Sequence, residues 1–152
     1  MPSEFKSLTK DSALQRLKTW NMDTPGQIIN PDIDGVLSSL ILYSEFGWPV
    51  IGYYDTKTIS LSKSAQGDYF DRSRLILEKV VWTDLDMSVP GARSIGQHVV
   101  NWDSPIQDDI KALNNSINPN LHSGWLRGGN VRYRDKYPFG TAQYLAYILD
   151  IK

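Results

Sequence analysis

Apolar positions along the chain alternate between helical spacings and short continuous runs. Over residues 11–20, Ala13, Leu14 and Leu17 share one face and Trp20 lies one turn further, which predicts a helix capped by Thr9 or Asp11. Pro25-Gly26 breaks the pattern, and residues 27–30 read as a short strand. Val36, Leu37, Leu40, Ile41, Leu42 and Phe46 follow, with Ser38 and Ser39 between. A run apolar nearly all round predicts a helix buried against a sheet, ended by Gly47. Residues 49–54 form a second strand, so the three pieces make a βαβ unit with parallel pairing.

Beyond this unit the pattern is more broken. Residues 58–61 alternate weakly as a short strand, and residues 64–73 read as a polar loop or a partly helical edge. Residues 79–84, Lys-Val-Val-Trp-Thr-Asp, are a clear strand ending in an acid, and residues 94–100 are a further strand. Residues 108–113 fit a short helix, residues 114–134 a long connection, and residues 141–151 a last helix. Strands alternating with helices predict one α/β domain with a mainly parallel sheet flanked and doubly covered by helices. The domain is expected to occupy all 152 residues, with its core over about 27–149 and a flexible lead-in over 1–10.

Composition narrows the function classes. The absence of cysteine removes disulfides, thiolate catalysis and cysteine-ligated metal centres, and fits a cytoplasmic protein. A net charge of −1 gives no global field for nucleic acid. No apolar run reaches the roughly 18–20 residues that a membrane span needs, so no membrane partner is expected. Five Trp and eight Tyr supply rings for packing or for stacking on a base.

In parallel sheets, sites lie beyond the carboxyl ends of the strands. Three such ends carry candidate chemistry: Asn30 to Asp34, Asp84 with Asp86, and Gln97 to Asp103. Asp32 and Asp34 sit two apart on a turn before Gly35, and Asp84 would join them from another strand. Three such oxygens suit a hard cation such as Mg2+ or Mn2+, and metal-assisted phosphoryl hydrolysis is the usual chemistry. Helix capping and turn formation account for the same acids without any ligand. Arg127, Arg132, Arg134 and Lys136 are the main basic concentration, interleaved with Gly128-Gly129, Tyr133 and Tyr137. They read as a phosphate clamp or as a solvated loop. His98 and His122 are the two histidines and the candidate acid–base groups.

The stretch Asn30-Pro31-Asp32-Ile33-Asp34-Gly35, followed by an apolar helix, resembles the first motif of the DHH phosphoesterase superfamily. Val80-Val81-Trp82-Thr83-Asp84 resembles the second motif, and Gly96-Gln97-His98 a reduced form of the Asp-His-His third motif. Gly140-Thr141 resembles a late Gly-Thr helix start. The resemblance implies Mn2+ or Mg2+ held by Asp34 and Asp84 with Asp32 or Asp103, catalysis through Asp32, Asp34, Asp84 and His98, and substrate contacts from Asn30. Its substrate would be a phosphate-containing small molecule or a short nucleic acid. The chain departs from the pattern at Ile28, Gly96 and Gln97, where the family has metal-binding or acidic residues, and is expected to lack the usual second domain. A two-metal site of the family's form therefore cannot be assembled. One-metal hydrolysis, a catalytically reduced binding module and a structural subunit with an aromatic surface are the competing expectations. The Asp32-to-Leu37 stretch is also similar to the first motif of haloacid-dehalogenase-type phosphatases. There the nucleophilic Asp directly follows apolar strand residues, whereas Asn30-Pro31 intervenes here.

Overall fold

Strand β1 (Gly26–Ile29) and strand β6 (Val80–Thr83) run side by side and parallel at the centre of the sheet, and all eight residues are buried. The computed structural model describes residues 8–72, 74–87, 89, 91–98, 115–121 and 138–152. The other strands of the main sheet are β2 (Val50–Tyr54), β3 (Ile59–Leu61), β7 (Arg93–Ile95) and β8 (Ser116–Ile117), in the order β3-β2-β1-β6-β7-β8. All neighbours pair in parallel except β3, which closes one edge antiparallel to β2. Strands β4 (Phe70–Asp71) and β5 (Arg74–Leu75) form a separate small antiparallel pair.

The α-helices among the described residues are α1 (Lys10–Asn21), α2 (Ile33–Phe46) and α3 (Thr141–Leu149). Thr9 caps α1 in a reciprocal box with Ser12, and Ala13, Leu17 and Trp20 form its buried face. One core joins Leu17, Trp20, Leu42, Tyr144, Leu145 and Ile148 of the helices to Val81, Ile95 and Ile117 of the sheet. The opposite face gathers Ile28, Ile51, Val80 and Trp82 with Ala65, Ala92, Tyr69 and Leu75. All three described helices thus contribute to the first core. A short 3-10 turn (Lys63–Gln66), the β4–β5 pair and connecting segments cover the second face. Both faces are covered, as expected, and the described α-helices lie together on the first.

The β1–α2–β2 unit forms as its pattern predicts. The expectation that α2 is buried nearly all round is overturned. Its buried residues are Gly35, Ser38, Ser39 and Leu42, while Ile33 (80% exposed), Leu40 (57%) and Tyr43 (59%) face outward. The reason is steric. A Cβ on Gly35 would lie 2.1 Å from the Asn30 carbonyl oxygen, so the strand-facing side of the helix takes small residues. The polar 64–73 segment takes the partly helical form of its two expected alternatives, with most of the 3-10 turn in it, and adds β4. The expected long connection over 114–134 begins instead with β8, which completes the sheet, and a 3-10 turn (Pro119–Leu121). The expected helix over 108–113 lies outside the described residues. No described helix is long and apolar enough to cross a membrane.

One buried polar knot pins the central strands to α2. Gln27 Nε2 donates to the Ser39 carbonyl (3.1 Å) and the Trp48 carbonyl (2.8 Å), and Gln27 Oε1 accepts from Thr83 Oγ1 (2.9 Å). Gln27→Leu leaves those partners unsatisfied in the interior. The expected loss is about 2–4 kcal/mol, read as a lower urea midpoint with an unchanged m-value.

Candidate functional site at the topological switch point

The chain leaves β1 toward β2 on one side, and β6 lies on the other side of β1. The strand order therefore reverses between β1 and β6, the position where parallel sheets open a crevice at their carboxyl ends. Asn30 follows β1, Asp32 and Asp34 open α2, Asp84 follows β6, and Thr141 opens α3. The crevice brings these five together.

Asp32 is the N-cap of α2, and its Oδ1 accepts from the Gly35 amide at 2.8 Å. Its Oδ2 accepts from Asn30 Nδ2 at 2.8 Å. The same Asn30 nitrogen donates to Asp84 Oδ2 at 3.0 Å. Asp84 Oδ1 accepts from Thr141 Oγ1 at 2.6 Å. Asp84 is 1% exposed and has φ +57°, a left-handed conformation that Asp tolerates better than most residues. Asp34 turns to α3: its Oδ2 accepts from the Thr141 amide (2.7 Å) and its Oδ1 from the Ala142 amide (3.0 Å). It thereby caps a helix distant in sequence and meets the positive end of that helix. Gly140 lacks a side chain where this carboxylate sits, since a Cβ there would be 2.7 Å from both Asp34 oxygens.

Burial pushes the Asp84 carboxyl up to about 6. Hydrogen bonds from Thr141 and Asn30 oppose that rise, and the charges of Asp34 and Asp32 add to it. A second polar cluster lies beyond β7 and β8. Asp86, with its side chain 2% exposed, accepts from the His98 amide (2.9 Å), His98 Nδ1 (3.1 Å) and Asn118 Nδ2 (2.8 Å). The Asp86 hydrogen bond is the main cause holding the His98 imidazole above its ordinary pKa. Burial works against it, and the charges of Asp86, Asp84 and Asp32 work with it.

Among the described residues no group of three or more His, Cys, Asp and Glu side chains is arranged to hold a metal ion. The hard donors nearest to that chemistry are Asp32 and Asp84, drawn together by one Asn30 amide. Of the residues expected from sequence, Asn30, Asp32, Asp34 and Asp84 share the crevice, and His98 stands at the neighbouring strand end. Asp103, His122, Arg127, Arg132 and Arg134 lie outside the described residues. Sequence reading missed the Asp86–Asn118 pair and the hydroxyl role of Thr141. The Gly-Thr helix start was the one signal that marked Thr141.

Two outcomes test this geometry. Asp34→Ala removes the cap of α3 and is expected to lower stability by about 1–2 kcal/mol, measured by urea unfolding. For Asp84 the folded protein keeps a proton that the unfolded chain releases near pH ~4. Its contribution to stability is therefore complete below that value, falls as pH rises to about 6, and is flat above. In chelator, Asp84→Asn is expected to remove this fall, so the stability difference between wild type and variant changes between these pH values and is constant above them. Compared with protein-family models, with curated proteins and with solved structures, the chain gives no significant match.

Proposed function

We propose that the domain is a divalent-metal-dependent phosphoesterase that hydrolyses a nucleotide or oligonucleotide phosphoester, with Mn2+ or Mg2+ bound at the switch-point crevice. The observation that carries this reading is the convergence of Asp32 Oδ2 and Asp84 Oδ2 on Asn30 Nδ2, at 2.8 and 3.0 Å. Two carboxylates from adjacent strand ends repel each other unless a proton, a donor or a cation lies between them. Here an amide donor fills that role. Turning the Asn30 carboxamide about its last bond would present Oδ1 in place of Nδ2 and make three oxygen ligands. One or two carboxylates completed by water and substrate phosphate is the set that Mg2+ commonly accepts. The residues therefore fit such an ion.

Asp32, Asp84 and Asn30 would hold the cation, which when bound would polarise the phosphoryl oxygens. Asp34 supports the crevice by anchoring α3, and so keeps the Thr141 hydroxyl on Asp84. His98 contacts phosphate or donates a proton. Arg127, Arg132 and Arg134 clamp the substrate, and Asp103 remains a candidate further ligand. A cysteine-free chain fits a cytoplasmic setting for this activity.

A second reading is a metal-free binding module for a nucleotide, nucleic acid or protein partner. It draws on Asp34, whose two oxygens both accept from α3. Calorimetry of Mn2+ and Mg2+ on chelator-stripped protein separates the two. Saturable binding in wild type, weakened at least about tenfold in Asp84→Asn and in Asp32→Asn, is the outcome expected of the hydrolase. A folded wild type that binds neither ion sinks it and leaves the binding module.

A further inference from the structure

The cluster beyond β7 and β8 has an internal logic that the metal reading does not use. Asn118 Oδ1 accepts from the Asn120 amide at 2.9 Å and from Asn120 Nδ2 at 3.1 Å. That orientation turns Asn118 Nδ2 toward Asp86 Oδ1 (2.8 Å) and the His98 carbonyl (2.8 Å). Asn120 Nδ2 also holds the Gln97 carbonyl at 2.7 Å. The carbonyls of His98 and of Gln97 before it are thus tied to one asparagine pair. Asp86 Oδ2 faces the His98 amide and His98 Nδ1 together. An ionised carboxylate can only accept, so Nδ1 carries the proton. Nε2 is then the ring's acceptor nitrogen, with the Gln97 Nε2 amide 3.5 Å away as a long donor to it, on a side chain that is 52% exposed beside one that is 2% exposed. Gly96 makes the arrangement sterically possible: a Cβ there would lie 2.2 Å from Asp86 Oδ2.

We infer that Asp86, oriented by Asn118, is a positioning residue that holds His98 as its Nδ1–H tautomer and presents Nε2 for proton exchange. The role of Nε2 rests on the phosphoesterase reading, while the tautomer rests on the Asp86 cluster alone. A buried carboxylate that fixes the far nitrogen of an imidazole is a general way to set tautomer and basicity. The groups with charge that act on the ring are Asp86 and Asp84 from the β6 end and Asp32 from the start of α2. From the β8 side it meets the uncharged Asn118 through its carbonyl.

The test is nitrogen–proton correlation NMR of the full chain in chelator, with His122→Gln as the background so that His98 is the one imidazole present. The Nδ1–H form is expected to predominate in the neutral ring. In Asp86→Asn, an isosteric change that removes the charge, the His98 titration midpoint is expected to drop by about one pH unit or more. Gly96→Ala pushes the carboxylate off the ring with its charge intact, and is expected to lose the Nδ1–H preference. A neutral ring found mainly as Nε2–H, or a midpoint unmoved in folded Asp86→Asn, overturns the inference. Because no metal is added, neither result depends on whether Mn2+ binds at Asp84.

Discussion

The Asp34 carboxylate accepts two backbone amides from the first turn of α3, more than a hundred residues away in the chain. Much of the molecule's order follows from that contact. It satisfies amides that a helix start leaves without intrahelical partners, and it sets a negative group at the positive end of the helix. It also fixes where α3 begins. Tyr144, Leu145 and Ile148 then fall into the core shared with Leu17, Leu42 and Val81. The same contact delivers the Thr141 hydroxyl to Asp84, so the helical layer and the crevice are positioned together.

The crevice concentrates acids and then manages their repulsion by different means. Asp32 and Asp34 are neutralised in part by helix amides, one from α2 itself and the other from α3. Asp84 is met by side chains instead. It is buried, raised to about 6 and held by one amide and one hydroxyl. Asn30 links two of these strategies by serving Asp32 and Asp84 at once. Asp86 is separate: it spends its acceptors on His98 and Asn118, and so couples the β7 and β8 ends to the same rim.

The apolar outer stripe of α2 has a cause in the same architecture. Gly35, Ser38 and Ser39 occupy the inner side because the helix runs close to β1, and the larger residues are left facing away. Burial thus followed the space available rather than hydrophobicity alone. This is why a run that looked apolar on all sides is half outside.

Local pattern alone determined the β1–α2–β2 unit, the Val80–Thr83 strand, the capped α1 and the final helix, because period, breakers and capping chemistry act over a few residues. It also marked Asp32, Asp34 and Asp84 as residues at strand ends, and the switch-point rule placed them in one crevice. Tertiary structure decided what each does. Whether Asp34 faces a ligand or caps α3 depends on where a distant helix lies. Whether Asp84 ionises easily depends on burial, and whether His98 keeps its proton on Nδ1 depends on Asp86 and Asn118 from two other strand ends. Contacts between distant residues leave no period in the sequence, so only the folded chain assigns them.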